Sequence, residues 1–131
     1  MKIIVAYDGT NAAKAAMNVA KKHAKAFNSK VYVLTSMVGG SGEEAHEIEA
    51  AKSELDYAQN FFARDGIECE AHLLIRGMDP GEDVIQYEQQ IRADEIIIGV
   101  RKRSKVGKLI FGSASQYIIL EAQCPVVTVK E

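Results

Sequence analysis

The sequence predicts a single α/β domain, residues 1–131, with an open parallel sheet and helices on both faces. Short runs of aliphatic and β-branched residues alternate along the chain with longer segments whose apolar residues recur at helical spacing. This alternation is typical of strand–helix–strand units, whose crossovers make the strands parallel. The run Glu95–Gly99 (EIIIG) is almost wholly apolar, which indicates a strand buried on both faces. A chain of 131 residues has the usual size of one domain.

Five segments are predicted to be strands, because each is a short run rich in Val, Ile, Leu or Tyr. Turn signals follow several of them, such as Asp8-Gly9 after the first. The predicted strands are Lys2–Tyr7, Lys30–Ser36, Glu68–Ile75, Glu95–Gly99 and Pro125–Val129. Ligands of open parallel sheets bind beyond the carboxyl ends of the strands. The candidate binding groups are therefore Asp8, the segment Thr35–Val38, Arg76-Gly77 and the residues from Gly99 onward.

Four segments are predicted to be helices. The first is capped by Thr10 or Asn11, and its stripe of small apolar residues suits close packing on a sheet. The stretch Asp79-Pro80-Gly81-Glu82 starts the third, with its aspartate as the cap and its glutamate closing a capping box. The first predicted helix ends at Phe27 and the third ends near Ile91. The second spans Glu43–Asp65, and the fourth spans Gly112–Ala122.

Charge is unevenly distributed along the chain. The formal net charge is −2, so the molecule as a whole has no electrostatic preference for nucleic acid or for membranes. The stretch Arg101–Lys108, in contrast, contains several cations and no acid. These cations are Arg101, Lys102, Arg103, Lys105 and Lys108. One cationic loop on an acidic body is the main electrostatic feature.

Cysteine usage and the start of the chain predict a cytoplasmic protein. Cys69 and Cys124 lie in or beside predicted strands without metal-ligand spacing, so we expect buried free thiols in a reducing compartment. The chain opens directly into a strand, which leaves no room for a signal peptide. No apolar run is long enough to span a bilayer.

The stretch from Gly99 to Ser113 has features of a phosphate-binding loop. A glycine directly after a buried strand lets a ligand approach the backbone closely. Gly112-Ser113, at the start of a helix, offers free backbone N–H donors and a hydroxyl to an anion. The basic residues between them would neutralise phosphate charge. The alternative is a solvated basic loop whose glycines serve only turn geometry.

The chain resembles the universal stress protein family over its whole length. The resemblance rests on the opening IIVAYDGT, the ending AQCPVVTV, and the Arg-Gly-x-Asp-Pro link before the third helix. ATP-binding members of that family carry a glycine, two residues, a second glycine, nine residues, and then Gly-Ser or Gly-Thr. Gly99 and Gly112-Ser113 match this pattern, whereas Lys102 replaces the second glycine. The resemblance implies a flavodoxin-like, adenine-nucleotide α-hydrolase-like sheet of five parallel strands in the order 3-2-1-4-5.

The resemblance also implies where a nucleotide would bind. Asp8 would lie by the nucleoside, and Ser36 or a neighbour would line the base pocket. The phosphates would face Gly99, Arg101, Lys102, Gly112, Ser113 and Ala114. Structural roles compete with two of these interpretations, since Asp8 could serve only the turn and Ser113 only the helix start. Lys102 could either block the phosphates with its side chain or replace the missing backbone contact with its ammonium group.

The function that follows is a stress-related regulatory protein that binds ATP, ADP or AMP, with Mg²⁺ as an accompanying ion, and does not turn the nucleotide over rapidly. The alternatives are a dimeric interaction module that binds no nucleotide and a slow ATPase. The family typically dimerises through its last strand, and Pro125–Val129 is short, apolar and suited to edge pairing. A Walker loop is excluded, because Gly107-Lys108 is followed by Leu109 rather than Ser or Thr.

Overall fold

Strands and helices alternate along the chain in a computed structural model, which describes residues 1–40, 42, 45–101 and 111–131. The strands are β1 (Lys2–Ala6), β2 (Lys30–Met37), β3 (Cys69–Ile75), β4 (Glu95–Val100) and β5 (Val126–Lys130). The helices are α1 (Asn11–Phe27), α2 (Ala45–Ala63), α3 (Pro80–Ile91) and α4 (Ser113–Glu121). These bounds agree with the predicted ones to within two residues at each end.

The five strands form one parallel sheet in the order β3-β2-β1-β4-β5. This confirms the predicted fold class and strand order. Strand β1 lies at the centre, where Ile4 is paired with Tyr32 of β2 on one side and with Ile96 of β4 on the other. The order reverses direction beside β1, because β2 and β4 lie on opposite sides of it. Open parallel sheets bind their ligands at such a reversal point.

Both faces of the sheet are covered by helices, as the sequence predicts. On one face, Ile3 and Val5 pack with Met17 of α1 and Phe62 of α2. On the other face, Ile4 packs in a second cluster with residues of α3 and α4, which include Val84, Ile85 and Ile118. Residues 96–98 of β4 are at most 2% exposed, which confirms a strand buried on both faces. The sheet thus separates two apolar cores, one on each face.

The helix starts differ from one another. The Thr10 hydroxyl accepts a hydrogen bond from the Ala13 backbone N–H at 3.2 Å, so Thr10 caps α1 as predicted. Pro80 begins α3, also as predicted, but the Asp79 side chain makes no capping hydrogen bond. Asp79 therefore occupies the predicted N-cap position, but the hydrogen bond expected from its side chain is not made. The fixed φ of a proline at the first helical position starts the helix without help from that carboxylate.

Two further findings concern the cysteines and membranes. Cys69 and Cys124 are free thiols, as predicted, but each is only half-buried. Among the helices in the described part of the chain, none is both long and apolar enough to cross a bilayer.

Candidate functional site

The carboxyl ends of β1, β2 and β4 open onto a cavity of about 290 Å³, which we call the strand-end cavity. Its walls are mainly aliphatic and come from distant parts of the chain, with Leu34 from β2, Val84 from α3 and Ile118 from α4. The polar groups that line it include Asp8 and Ser36. An apolar chamber with a few polar groups is the usual form of a small-molecule site.

A second cavity of about 380 Å³ adjoins the first, and we call it the loop cavity. It is lined by Arg101, Gly112 and Ser113, among others. The residues that line both cavities are Asp8, Gly99, Ala114 and Ser115. The two cavities therefore adjoin and make up one cleft, which is mainly apolar at the sheet and mixed polar and apolar at the loop.

The start of α4 forms one wall of the loop cavity. The backbone of Gly112 is extended (φ −66°, ψ 165°), and its carbonyl accepts the first helical hydrogen bond from Gln116 at 3.0 Å. Within the described residues, no side chain caps this helix. The backbone N–H groups of Ser113–Ser115 precede that first bond, so the helix itself gives them no acceptor. Together with the helix dipole, these donors favour an anion in the loop cavity.

Asp8 lies where the two cavities meet, and its two carboxylate oxygens have different surroundings. Oδ1 accepts hydrogen bonds from the Thr10 backbone N–H at 3.1 Å and from the Thr10 hydroxyl at 2.6 Å. Oδ2 lies 4.0 Å from a guanidinium nitrogen of Arg101, at the limit of an ion pair. The turn role considered for Asp8 is thus real, but it occupies only one oxygen. The other oxygen has only the long contact with Arg101 among the described residues.

Gly99 has a structural role that the local sequence does not reveal. A Cβ atom at this position would lie 2.7 Å from the Ala13 backbone nitrogen and would also overlap the Ala12 carbonyl. The first turn of α1 therefore packs directly on β4 at Gly99. We predicted this glycine from the needs of a ligand, whereas contact between α1 and β4 is sufficient to require it.

Ser36 lines the strand-end cavity, and its hydroxyl is already engaged within the protein. It donates a hydrogen bond of 2.7 Å to Oδ2 of Asp83, in the first turn of α3. Asp83 is fully buried, and its other oxygen accepts from the Nε of Arg76 at 2.5 Å. Arg76 also pairs with Asp83 through Nη2. Arg76 was predicted as a binding candidate from its place at a strand end, but it belongs to this internal network.

Comparison with known proteins identifies the family. The sequence profile of the universal stress protein family matches residues 1–130. The chain belongs to the universal stress protein family. It is 36% identical over 135 residues to a universal stress protein of Thermus aquaticus, covering 98% of this chain and 97% of that protein.

Solved structures of other universal stress proteins support the same assignment. A universal stress protein from Archaeoglobus fulgidus superposes with a TM-score of 0.91 at 38% identity, covering 99% of this chain and 98% of that one. A universal stress protein from the same organism, in complex with dAMP, superposes with a TM-score of 0.84 at 32% identity and the same coverage.

The residues predicted to bind a ligand in this universal stress protein lie together where the structure describes them. Ser36 lines the strand-end cavity, and Arg101 lines the loop cavity. Other predicted residues that line the loop cavity are Asp8, Gly99, Gly112, Ser113 and Ala114. Lys102, the departure from the family pattern, lies outside the described residues.

Tyr7, which borders this cleft, and its partner Glu54 were not singled out from the sequence. Tyr7 lines the strand-end cavity, and its hydroxyl donates to Oε2 of Glu54, on α2, at 3.0 Å. Burial, reinforced by this hydrogen bond, raises the pKa of the Tyr7 phenol above its usual range, so Tyr7 is a neutral donor at physiological pH. No sequence motif joins Tyr7 to Glu54, because the contact depends on where α2 packs.

A larger cavity, of about 560 Å³, lies at the opposite edge of the sheet, by the amino ends of β1 and β2. Lys25, Asn28 and Asp65 are among its lining residues, and none of the predicted site residues is. Its position at the amino ends of the strands is not where open parallel sheets bind ligands. The cleft at the carboxyl ends of the strands is therefore the better candidate.

Proposed function

We propose that the chain binds an adenine nucleotide (ATP, ADP or AMP), with the base and sugar in the strand-end cavity and the phosphates in the loop cavity. The observation that carries the proposal is the continuity of an apolar chamber with the uncapped start of α4. A nucleotide has the same division, with a flat apolar base at one end and anionic phosphate at the other. The dAMP complex of the Archaeoglobus fulgidus relative, at 32% identity, supports a nucleotide as the ligand class.

The proposed phosphate site depends on the positive charge of Arg101 and on backbone N–H donors at the start of α4. Arg101, about half-exposed beside Asp8, can turn toward a phosphate, because its 4.0 Å contact with Asp8 is weak and solvated. The N–H groups of Ser113–Ser115 supply donors whose positions are fixed by the helix. The Ser113 hydroxyl adds one more hydrogen bond. The unoccupied oxygen of Asp8 would accept from a sugar hydroxyl at the junction of the two cavities.

The proposed role is regulatory, in the cytoplasm, with the nucleotide held rather than turned over quickly. Across the described part of the chain, no three His, Cys, Asp or Glu side chains are grouped so that they could hold a metal ion. Mg²⁺ would then arrive bound to the phosphates of the nucleotide. The competing function, an interaction module without nucleotide, is favoured by Lys102, which stands where binding members have glycine.

Binding as a function of salt tests the proposal. ATP and adenosine are titrated into the protein by calorimetry at low and high salt, and the purified protein is denatured so that mass spectrometry can identify any released small molecule. We expect ATP to bind more tightly than adenosine, with a difference that shrinks as salt rises, because phosphate–cation attraction is screened. Equal affinities at low salt would contradict the phosphate role. No binding of either compound would favour the interaction module.

The proposal includes a homodimer through the β5 edge. Strand β5 is at the end of the sheet, so in the described structure only β4 pairs with it. The neighbouring helix α4 exposes apolar side chains, with Leu120 78% exposed and Ile119 39% exposed. An apolar helix surface and an unpaired strand edge are the kinds of surface that a second copy would cover.

A further inference from the structure

We infer that Ser36 is an acceptor-only group in the strand-end cavity, held so by Asp83 and Arg76, and that it selects a purine with an amino group over a purine with an oxo group. The inference rests on the proposed function, since it concerns the base end of the same cleft. It assigns Ser36 as the residue that determines specificity, and Asp83 and Arg76 as positioning residues behind it.

The hydrogen-bonding capacity of a serine is limited. Its hydroxyl has one proton to donate and two lone pairs that accept. In Ser36 the proton is committed to Oδ2 of Asp83 at 2.7 Å. An ionised carboxylate can only accept, so the direction of this bond is fixed. Toward the cavity, Ser36 therefore presents lone pairs and no proton.

The environment of Asp83 keeps that direction in place. The carboxylate is fully buried, and Arg76 satisfies its other oxygen through Nε and Nη2. A second bond of 3.2 Å joins Nη2 to the Asp83 backbone carbonyl, which anchors the guanidinium to the start of α3. If Ser36 rotated its proton toward a ligand, Oδ2 of the fully buried Asp83 would lose the hydrogen bond that Ser36 provides. A buried acceptor that loses its partner is costly, so the rotation is disfavoured.

The hydroxyl of Thr35, next to Ser36 in the sequence, also donates its proton to a group of the protein. Thr35 also lines the cavity, and its hydroxyl donates to the Tyr7 backbone carbonyl at 2.7 Å. The side-chain hydroxyls at the end of β2 thus both have their protons directed into the protein. A ligand that reaches this end of the cavity meets acceptors, set among the aliphatic walls formed by Leu34 and Val84.

The ligand chemistry follows from this polarity. The 6-amino group of adenine is a donor and can bond to Ser36, whereas the 6-oxo group of hypoxanthine in the same position is an acceptor and would face lone pairs. Hypoxanthine could donate to Ser36 only through N1–H, which requires the base to shift from the position that adenine takes. A site that hydrogen-bonds one group discriminates strongly against an analogue that cannot form the bond. We expect the affinity for AMP to be at least about tenfold higher than that for IMP, which carries the same sugar and phosphate.

The test compares three monophosphates by calorimetry: AMP, IMP and purine ribotide, which has hydrogen at position 6. In the wild type we expect AMP to bind most tightly. In Ser36→Ala, which lacks the acceptor, the ratio of AMP to IMP affinity should fall toward one. In Asp83→Asn the new amide can donate to Ser36 and release its proton, so IMP should gain relative to AMP. Ser113→Ala is the matched control, because it weakens both ligands at the phosphate end and leaves their ratio unchanged.

The outcomes separate this inference from the proposed function. If AMP and IMP bind equally, or IMP binds more tightly, nucleotide binding stands and the role of Ser36 is overturned. A ratio that is unchanged in Ser36→Ala overturns it as well. If no monophosphate binds the wild type, the proposed function and this inference both fail. Should Asp83→Asn not fold, as judged by circular dichroism, Ser36→Ala alone decides.

Discussion

The backbone carbonyl of Ala12, in the first turn of α1, lies so close to Gly99 of β4 that a methyl group on the glycine would overlap it. This contact joins the first helix to the strand that leads into the loop cavity. It also fixes the start of α1 beside the carboxyl end of β1, where Asp8 and the Thr10 cap meet. This backbone-to-backbone contact within the core therefore helps to set the geometry of the cleft.

The first prediction is that Gly99→Ala destabilises the protein. The added methyl meets backbone atoms of α1, which cannot rotate away as a flexible side chain could. We expect the free energy of unfolding, measured by urea denaturation, to fall by about 1–3 kcal/mol or more. Gly112→Ala is the control, because no described atom lies within 4 Å of a Cβ there. Equal stabilities of the two variants would show that α1 can move away from β4.

The second prediction is that Gly112→Ala weakens ATP binding without unfolding the protein. The backbone φ of −66° at Gly112 suits alanine, and replacing glycine by alanine at a helix cap costs about 1 kcal/mol or less. A methyl group there would occupy space between the start of α4 and the phosphates. We expect ATP affinity to fall about tenfold, which corresponds to about 1.4 kcal/mol, while adenosine affinity stays the same. An unchanged ATP affinity would place the phosphates away from Gly112.

The third prediction concerns Lys102. We expect its ammonium group to contact the phosphates, because the cations around it in the sequence need an anion nearby. Lys102→Gly and Lys102→Ala should then each lower ATP affinity about tenfold or more, since hydrogen bonds to charged groups contribute about 1.5–3 kcal/mol. Calorimetry at low salt measures the effect. A wild type that does not bind, beside a glycine variant that does, would show that the lysine blocks the site.

The fourth prediction is that changes at the β5 edge separate a dimer into monomers. Leu120→Glu places a charge on a side chain that is 78% exposed, so it should disrupt an interface without disturbing the core. Val127→Pro removes a backbone donor from β5 itself and has to be checked for folding by circular dichroism. Light scattering should show a dimeric wild type at micromolar concentration and monomeric variants. A monomeric wild type would contradict the proposed homodimer.

The fifth prediction is that both cysteines react slowly. Burial raises the pKa of the Cys69 thiol to about 12 and that of Cys124 to about 11. Because the thiolate is the reactive form, alkylation by iodoacetamide at pH 8 should be at least about tenfold slower in the folded protein than in urea. The rate should increase as pH rises toward 11. Fast alkylation of the folded protein at pH 8 would mean that the thiols are more exposed than the structure shows.

The same thiols make stability depend on pH in a defined direction. A thiol whose pKa is higher in the folded protein than in the unfolded chain holds its proton longer when folded. Its effect on folding is nil below the unfolded pKa of about 8.5 and becomes unfavourable as pH rises above that value. The free energy of unfolding should therefore decline from about pH 9 upward. Cys69→Ala should make that decline less steep.

The strands, the helices and the edge of the sheet that carries the candidate site could all be predicted from the sequence, because each has a physical signature there. Strands such as Glu95–Gly99 are recognisable because a strand buried on both faces has to be apolar throughout. Parallel strands place their carboxyl ends at one edge, so Asp8, Ser36 and Gly99 lie together as expected. The strand order came from the family resemblance, because periodicity alone does not determine it.

What the sequence did not predict depends on contacts between distant segments. Asp83 is an acid in an amphipathic helix, which normally indicates exposure, and yet it is fully buried. Only the fold brings it to Ser36, 47 positions away. One signal was present, because Asp83 directly precedes the apolar pair Val84-Ile85 on the face that packs against the sheet. A charge at the start of that buried stripe requires a partner, and Arg76 is the nearest cation in the sequence.

The strand-end cavity is bounded by β1, α1, β2, α3, β4 and α4, so its walls come from nearly the whole length of the chain. An unfolded or truncated chain has no partial version of this site. A nucleotide in the cavity would therefore act as a cross-link among all these elements. At a free concentration one hundred times its dissociation constant, it would add about 2.7 kcal/mol to the stability of the whole domain. Protease resistance would then rise and fall with the supply of nucleotide, so that the ligand determines how long each copy of the protein survives.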